Sequence, residues 1–535
     1  MKVAILGFDG PLARATGAEL SRRGHVASDD GAECVIYFPG PLDELENLVQ
    51  RGGFRRLVLR SHASVYGSNA KNPGLMTEER VSLLPGDAPE QRWLKAEQVA
   101  SQFPNWAAVR LTNVLSPDEG DLLVRQLAGS AAMPLAGRDP NVQFINLQDA
   151  ARALVAAAES DATGIFNAAG QGAIPLKKAL RASGTMRIPV SKPLHFPFGA
   201  RASLAELEYN WTVSGERAQR ELGFVPELST PQALAEFVKN KPGARPELLQ
   251  KEYDDWGLDT DYINAWGWWF AFLRKVYWRI EFEGMENIPA SGRALFISNH
   301  RGFMPLDGVI HLSLVWTYRR RIIRFIIIPG LLKFPFLSNF LTKLGGVVAT
   351  QRNVNLLFRQ ENIVGTFPEG IRGTFLPYKS AYKLRDFSKS AFAKMAIENQ
   401  APIVPAAVVG HAEIFPIIGR INWSFVTKEF DWPYFPIAPP FPLLPVVPNP
   451  SKWHVRILKP IPLEGLKPED AANDKLVREL SRYVQDLVQK NIEQMLARRK
   501  HIFWGRVLDG TAPAIPPFVP ANRMDRVQLS KGVAT

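Results

Sequence analysis

Residues 294–308 read ALFISNHRGFMPLDG. The run Ala294–Ile297 has the length and apolarity of a buried strand, and it stops abruptly at Ser298-Asn299-His300. Six residues then separate His300 from Asp307, among them Gly302 and Pro305, which suit a loop that turns back on itself. A general base needs a group that titrates near neutral pH, and imidazole is the side chain that does so. A carboxylate on its second nitrogen fixes the tautomer and stabilises the imidazolium. His300 and Asp307 are candidates for those roles; taken alone, the pair also fits a loop histidine beside a helix-capping aspartate.

Further pieces follow in order. Gly345-Gly346-Val347-Val348-Ala349-Thr350-Gln351-Arg352 reads as a glycine turn, a strand and an arginine. Phe367-Pro368-Glu369-Gly370-Ile371-Arg372-Gly373 follows a strand at Ile363–Phe367 and combines a tight turn with a guanidinium, a seat for a phosphate or an oxyanion. Strands expected at 293–298, 324–328, 346–349, 362–367 and 403–409, with helices between them, predict an α/β unit. Residues 261–280 predict an aromatic-rich helix, and 470–500 a polar amphipathic one.

The first part of the chain repeats the alternation. Strands are expected at 3–6, 34–38, 56–59 and 107–111, and helices at 12–24, 90–102 and 148–158. This argues for a doubly wound parallel sheet. Gly7-Phe8-Asp9-Gly10-Pro11-Leu12-Ala13 lies where a strand ends and a helix begins, the place at which glycines let a backbone approach a pyrophosphate. The charged, Pro- and Gly-bearing stretch 236–260 reads as a linker. The boundaries expected are 1–235 for the first domain, 261–505 for the second, and 506–535 for a tail.

Residues 1–235 resemble the extended short-chain dehydrogenase/reductase family of the epimerase type, through the turn Gly7–Ala13, Ser64-Val65-Tyr66-Gly67, Arg92–Glu97 and Ser214–Pro226. The resemblance implies NAD(P) as cofactor, with Gly7, Gly10, Ala13, Tyr66 and Lys95 as its binding residues. Two departures weigh against an active enzyme. The family's Y-x-x-x-K pair has Gln91 in place of tyrosine, and the chain runs from Gly24 to Cys34 with no room for a further strand and helix.

Residues 256–500 resemble the glycerolipid acyltransferase superfamily, of the lysophosphatidate acyltransferase type, through NH…D and FPEGIR in that order. The resemblance implies His300 as the base and Asp307 as its partner. Gly346, Arg352, Phe367, Pro368, Glu369, Gly370 and Arg372 would bind the acceptor, and Pro402–Pro405 would form part of an acyl channel. Acyl-CoA or acyl carrier protein would be the co-substrate, with no cofactor and no metal required. The form H-x-G-x-x-P-x-D is longer than the common H-x-x-x-x-D and is similar to the monoacylglycerol/diacylglycerol acyltransferase branch, so the acceptor stays open between a lysophosphatidate-like and a neutral lipid. The fold class expected is α/β, a Rossmann-like doubly wound parallel sheet fused to a glycerolipid-acyltransferase α/β domain.

The formal net charge is +12, which draws polyanions. The cations are interleaved with aliphatic runs at 318–349 and with Trp266, Trp268, Trp269, Tyr277 and Trp278 at 262–280, a composition suited to a lipid headgroup layer rather than to nucleic acid. Residues 431–448, DWPYFPIAPPFPLLPVVP, are broken by proline and suit an apolar lip at a bilayer. No run approaches the roughly 18 apolar residues of a spanning helix, and no signal peptide is read at the start. The expectation is a cytoplasmic protein, peripherally bound to a membrane. One cysteine, Cys34, excludes an internal disulfide.

Overall fold

The computed structural model describes residues 1–28, 30–72, 74–191, 206–250, 253–389, 391–443, 447–510, 512–518 and 520. The chain forms two compact units. The first comprises Met1–Leu258 with Leu332–Thr342, the second Asp259–Leu331 with Lys343–Thr535.

The first unit is built on strands β1 (Lys2–Gly7), β2 (Val26–Ala27), β3 (Cys34–Phe38), β4 (Arg56–His62), β5 (Trp106–Leu111) and β6 (Gly164–Ala168). They pair in the order β6-β5-β4-β3-β1-β2, all parallel. Every residue of β3 and β4 is buried, as the continuous apolar runs require of a sheet covered on both faces. Helices α1 (Pro11–Arg22) and α4 (Leu147–Glu159) join Val3, Ile36 and Phe38 in one core. Helices α2 (Leu42–Arg51) and α3 (Gln91–Ala100) join Val35, Tyr37 and Leu59 in the other. Strand β2 lies on one side of β1 and β3 on the other, although only residues 28–33 connect them. The strand and helix missing from the sequence there are therefore missing from the sheet edge.

Two expectations are corrected. Residues 236–260 are not a linker. The helix Thr230–Val238 runs into the stretch, and Leu249, Tyr253 and Trp256 are buried in the first unit. The Trp256 carbonyl accepts a 2.8 Å hydrogen bond from Asn141. Residues 332–342 also belong to the first unit. Arg138 donates to the carbonyls of Leu332 (2.8 Å) and Lys333 (2.6 Å), and the Gly137 carbonyl accepts from the Phe336 N–H and the Asn339 amide, both at 2.8 Å.

The second unit is a mixed sheet of β7 (Glu281–Glu283), β8 (Ala294–Ser298), β9 (Ile323–Ile327), β10 (Val347–Val348), β11 (Ile363–Thr366), β12 (Ile403–Val409) and β13 (His454–Ile457), in the order β7-β13-β12-β8-β11-β9-β10. Only the pairing of β12 with β13 is antiparallel. Helix α5 (Leu306–Arg319) follows β8, α6 (Gln351–Arg359) follows β10, the short α7 (Gly370–Thr374) follows β11, and α8 (Asp474–Arg498) packs late in the chain. The aromatic stretch is two short helices, Thr260–Ala265 and Gly267–Phe272, ending in a π turn at Leu273–Tyr277, rather than one helix. Part of the expected tail is held: the N–H groups of Val507 and Gly510 donate to Glu281 and Glu283, each at 3.0 Å. Residues 521–535 lie outside the described residues.

Strand β8 is central to the site. Ile297 pairs with Thr366 of β11, and Ser298 with Ala406 of β12. The loops after β8 and β11 therefore leave neighbouring parallel strands at their carboxyl ends, where open α/β sheets bind ligands.

Candidate active site

His300 is the second residue past the end of β8, and Asp307 is the second residue of α5. Gly302, in the left-handed region at φ +77°, lets the intervening loop reverse. The longer spacing is absorbed in this way, and His300 Nδ1 comes within 2.6 Å of Asp307 Oδ2. The Asp307 side chain is 0% exposed and that of His300 12%. Burial alone would raise the Asp307 pKa. The charge and hydrogen bond of His300, with smaller effects of His411 and His311, outweigh it and hold the carboxyl below its usual range. Asp307 also accepts from the N–H groups of Arg301 (3.2 Å) and Gly308 (2.8 Å). With Nδ1 donating to the carboxylate, Nε2 is the nitrogen that can take a proton from a substrate hydroxyl.

The ring is fixed from the side as well. Phe367 stacks on His300 at a 4.0 Å centroid distance and 12°, and Phe325 stacks on Phe367 at 5.2 Å and 5°. Asn299, fully buried, exchanges two hydrogen bonds with the Val408 backbone (2.9 and 3.0 Å) and so anchors the end of β8 to β12.

Glu369, expected at the acceptor, is a brace instead. Its carboxylate is fully buried and accepts from Arg301 Nη1 at 2.6 Å, from the His300 N–H at 3.3 Å and from the Arg385 N–H at 2.9 Å. Nothing in its sequence context singles out Arg301. It is buried, and it also donates to the carbonyls of Ala381, His300 and Lys383. Gly373 leaves room for this brace, since a Cβ there would stand 2.4 Å from that of Glu369. The Gly370 N–H donates to the Phe367 carbonyl at 2.9 Å, so the tight turn does not offer that amide to an oxyanion.

The structure thus brings Phe367 and Glu369 to His300, with Pro368 buried between them. Arg372, one turn on, is exposed and unpaired among the described residues. Gly346 and Arg352 flank β10 at the far edge of the sheet; the left-handed glycine of that turn is Gly345, at φ +94°. Pro402–Pro405 do not form a channel: Ile403, Val404 and Pro405 lie in a buried central strand. An aromatic cluster stands nearer the dyad. Phe303, three residues past His300, packs against Phe415 (4.8 Å), Phe441 (5.0 Å) and Trp432 (5.8 Å).

In the first unit the candidate cofactor residues do not assemble. Tyr66 is fully buried, donates to Asn167 at 2.8 Å and is covered by Arg110 at 4.6 Å; burial pushes its pKa up to about 12. Lys95 lies instead on a cavity of about 680 Å³ with Phe8, Arg60, Trp93 and Glu119. Gly7 is at φ +91°, and a Cβ there would meet the Phe38 carbonyl oxygen at 1.9 Å, so it serves the approach of β1 to β3. Ala13 is buried in the core. At Gly10 the approach to α1 is filled by the Phe8 ring and the Glu119 carboxylate, which would stand 2.6 and 3.1 Å from a Cβ added there. These residues do not fit a dinucleotide pyrophosphate.

A protein-family model described as Acyltransferase matches residues 279–409, which contain the dyad, the stack and the brace. Uncharacterized protein Rv0502 of Mycobacterium tuberculosis is 30% identical over 285 residues, 52% of this chain and 79% of that protein. Uncharacterized protein ML2427 of Mycobacterium leprae is 31% identical over 290 residues, covering 52% and 78%. The solved UDP-N-acetylglucosamine 4-epimerase of Bacillus cereus aligns with 45% of this chain and 98% of its own, at 15% identity and a TM-score of 0.35. The second unit contains an acyltransferase domain, and the chain belongs to the family of the two mycobacterial proteins.

The brace and the dyad make separable predictions. Arg301→Met leaves the Glu369 charge buried without its partner and is expected to cost about 3–5 kcal/mol, read by urea unfolding; a loss under about 1 kcal/mol would contradict the brace. The pH dependence follows from the buried histidines. Burial pulls the His311 pKa from 6.5 to about 4, and that of His454 to about 4 despite Glu281. Between those values the unfolded chain binds protons that the folded chain does not, so stability present above pH 6.5 is lost as pH falls. The slope is about 1.4 kcal/mol per pH unit for each such proton. Asp307, with its lowered pKa, acts in the same direction at lower pH. His311→Gln should flatten the fall in Tm between pH 6.5 and 4, and an unchanged slope would remove His311 from this account.

Proposed function

We propose that the second unit transfers an acyl group from a thioester, acyl-CoA or acyl carrier protein, to the hydroxyl of a lysophosphatidate-like lipid at a membrane surface. The observation that carries the reading is the His300–Asp307 hydrogen bond, with the ring held edge and face by Asp307 and Phe367. His300 Nε2 removes the hydroxyl proton while the oxygen attacks the thioester carbonyl, and Asp307 stabilises the imidazolium. Collapse of the tetrahedral intermediate expels the thiolate, which takes the proton back from His300. The Phe303 cluster supplies an apolar wall for the acyl chain. Arg372, exposed beyond the turn, is the cation that would meet an acceptor phosphate. A mono- or diacylglycerol acceptor is the alternative favoured by the H-x-G-x-x-P-x-D spacing. In this structure that spacing yields a fully formed dyad, so it does not discriminate between acceptors.

Membrane attachment is part of the proposal. Trp268, Phe272 and Val276 are 71%, 38% and 59% exposed and recur at every fourth residue, while Phe270, Leu273 and Trp278 face the core. Leu443, in the Pro-rich lip, is 94% exposed. Among the described residues no helix is long and apolar enough to cross a membrane.

Purified protein given radiolabelled acyl-CoA with lysophosphatidate, monoacylglycerol or diacylglycerol should make product from lysophosphatidate. His300→Ala should lower kcat by roughly 10²–10⁴ for the protein that melting curves show to be folded. Substantial activity of that variant would remove His300 as the base. Arg372→Gln should raise KM for a phosphate-bearing acceptor more than for a neutral one. On vesicles of phosphatidylcholine with phosphatidylglycerol, Trp268→Ser with Phe272→Ser should reduce sedimentation with lipid, and unchanged sedimentation would exclude that face as the contact.

A further inference from the structure

The first unit has the seat for a phosphate and also holds something in it. Helix α1 begins at Pro11, four residues past the end of β1, and a helix N-terminus attracts an anion. Pro11 has no N–H to offer. The next, that of Leu12, donates at 2.9 Å to Glu119 Oε1. Glu119 is reached from the turn Pro117–Glu119 that follows β5. It is far from α1 in sequence, so its position is set by tertiary structure and not by local capping.

The carboxylate has a second partner. Arg60 Nη2 stands 3.6 Å from Glu119 Oε2, and both side chains are buried, at 5% and 6% exposure. Arg60 Nε is buried with no hydrogen-bond partner among the described residues, and the guanidinium lies over the Trp93 ring at 4.5 Å. Arg60, Trp93 and Glu119 line one cavity of about 680 Å³, together with the exposed Arg92, Lys95 and Asp118. Helix terminus and buried arginine together make a site for an anion. A glutamate of the chain already satisfies it.

We propose that Glu119 is the resident anion of the dinucleotide phosphate seat, and that it closes the first unit to nucleotides bearing a pyrophosphate. A pyrophosphate brought to α1 would have to displace the carboxylate from the Leu12 N–H and then stand beside its negative charge. The Phe8 ring over Gly10 closes the same approach sterically. The seat is therefore kept intact but filled from within. Removing the carboxylate returns the Leu12 N–H to an incoming phosphate and leaves Arg60 with Asp121 as its nearby acidic neighbour.

The test is calorimetric titration of the full chain with inorganic pyrophosphate, ADP-ribose, NAD and NADP, with melting curves as a check of folding. Wild type should bind none of them at millimolar concentration. Glu119→Ala should gain pyrophosphate and ADP-ribose binding at least tenfold tighter than wild type. Glu119→Ala with Arg60→Met should lose that gain. Glu119→Gln keeps the shape and an acceptor for Leu12 but removes the charge. It should show a smaller gain, and it decides the matter if the alanine variant melts early. Wild-type binding of NAD or pyrophosphate as tight as that of Glu119→Ala would overturn the proposal. So would a folded Glu119→Ala or Glu119→Gln that gains nothing.

Discussion

Two carboxylates beside His300 have no exposed surface at all, and the site is organised around giving them partners. Asp307 and Glu369 are each removed from water, a loss that only close partners and several hydrogen bonds can offset. Two consecutive residues after β8 supply those partners: His300 for Asp307 and Arg301 for Glu369. The backbone amides cross over, the N–H of Arg301 going to Asp307 and that of His300 to Glu369. Neither pair can loosen without disturbing the other. The His300 ring is thus oriented by a lattice of charge-assisted hydrogen bonds that also holds the loop after β11 beside it, and precise placement follows from the need to avoid a bare buried charge.

Much of this is legible in the sequence, for a physical reason that can be located. Strands buried on both faces write themselves as continuous apolar runs, and CVIYF and ALFIS lie within a residue of where the sequence puts them. The dyad is legible because its two members are close in the chain and joined by a loop with its own turn residues. The brace is only half legible. Glu369 stands out, but its partner Arg301 looks like any polar loop residue, and nothing local says that its guanidinium turns inwards to the carbonyls of Ala381 and Lys383. The short edge strand β7 and its neighbour β13 escape for lack of length. Residues 236–260 mislead because charge and proline resemble a linker, whereas what holds them is three large side chains, Leu249, Tyr253 and Trp256, spaced too irregularly to show a period.

The two units are variations on one architecture that meet a buried arginine in the same way. Both place loops at the carboxyl ends of parallel strands, and both bring arginines there. In the first, Arg60 is buried and met by the chain's own Glu119. In the second, Arg301 is likewise met from within by Glu369, but Arg372 is left in solvent beyond the turn. An arginine near a strand end is thus a poor guide to ligand binding until its partner is known. Burial separates an internal counter-ion such as Arg301 from a solvent-exposed side chain such as Arg372.

Residues 332–342 interrupt the sequence of the second unit yet pack with the first, through Arg138, Gly137 and their backbone partners. The polypeptide passes from one unit to the other at 258–259, at 331–332 and at 342–343. Two domains simply placed end to end would be crossed once. Here the halves are laced, so neither can be expressed alone by a single cut without stripping the first of a structural segment or leaving the second with an orphaned apolar loop. A boundary drawn at 258–259 would part residues 332–342 from Arg138 and Gly137, the groups that hold them.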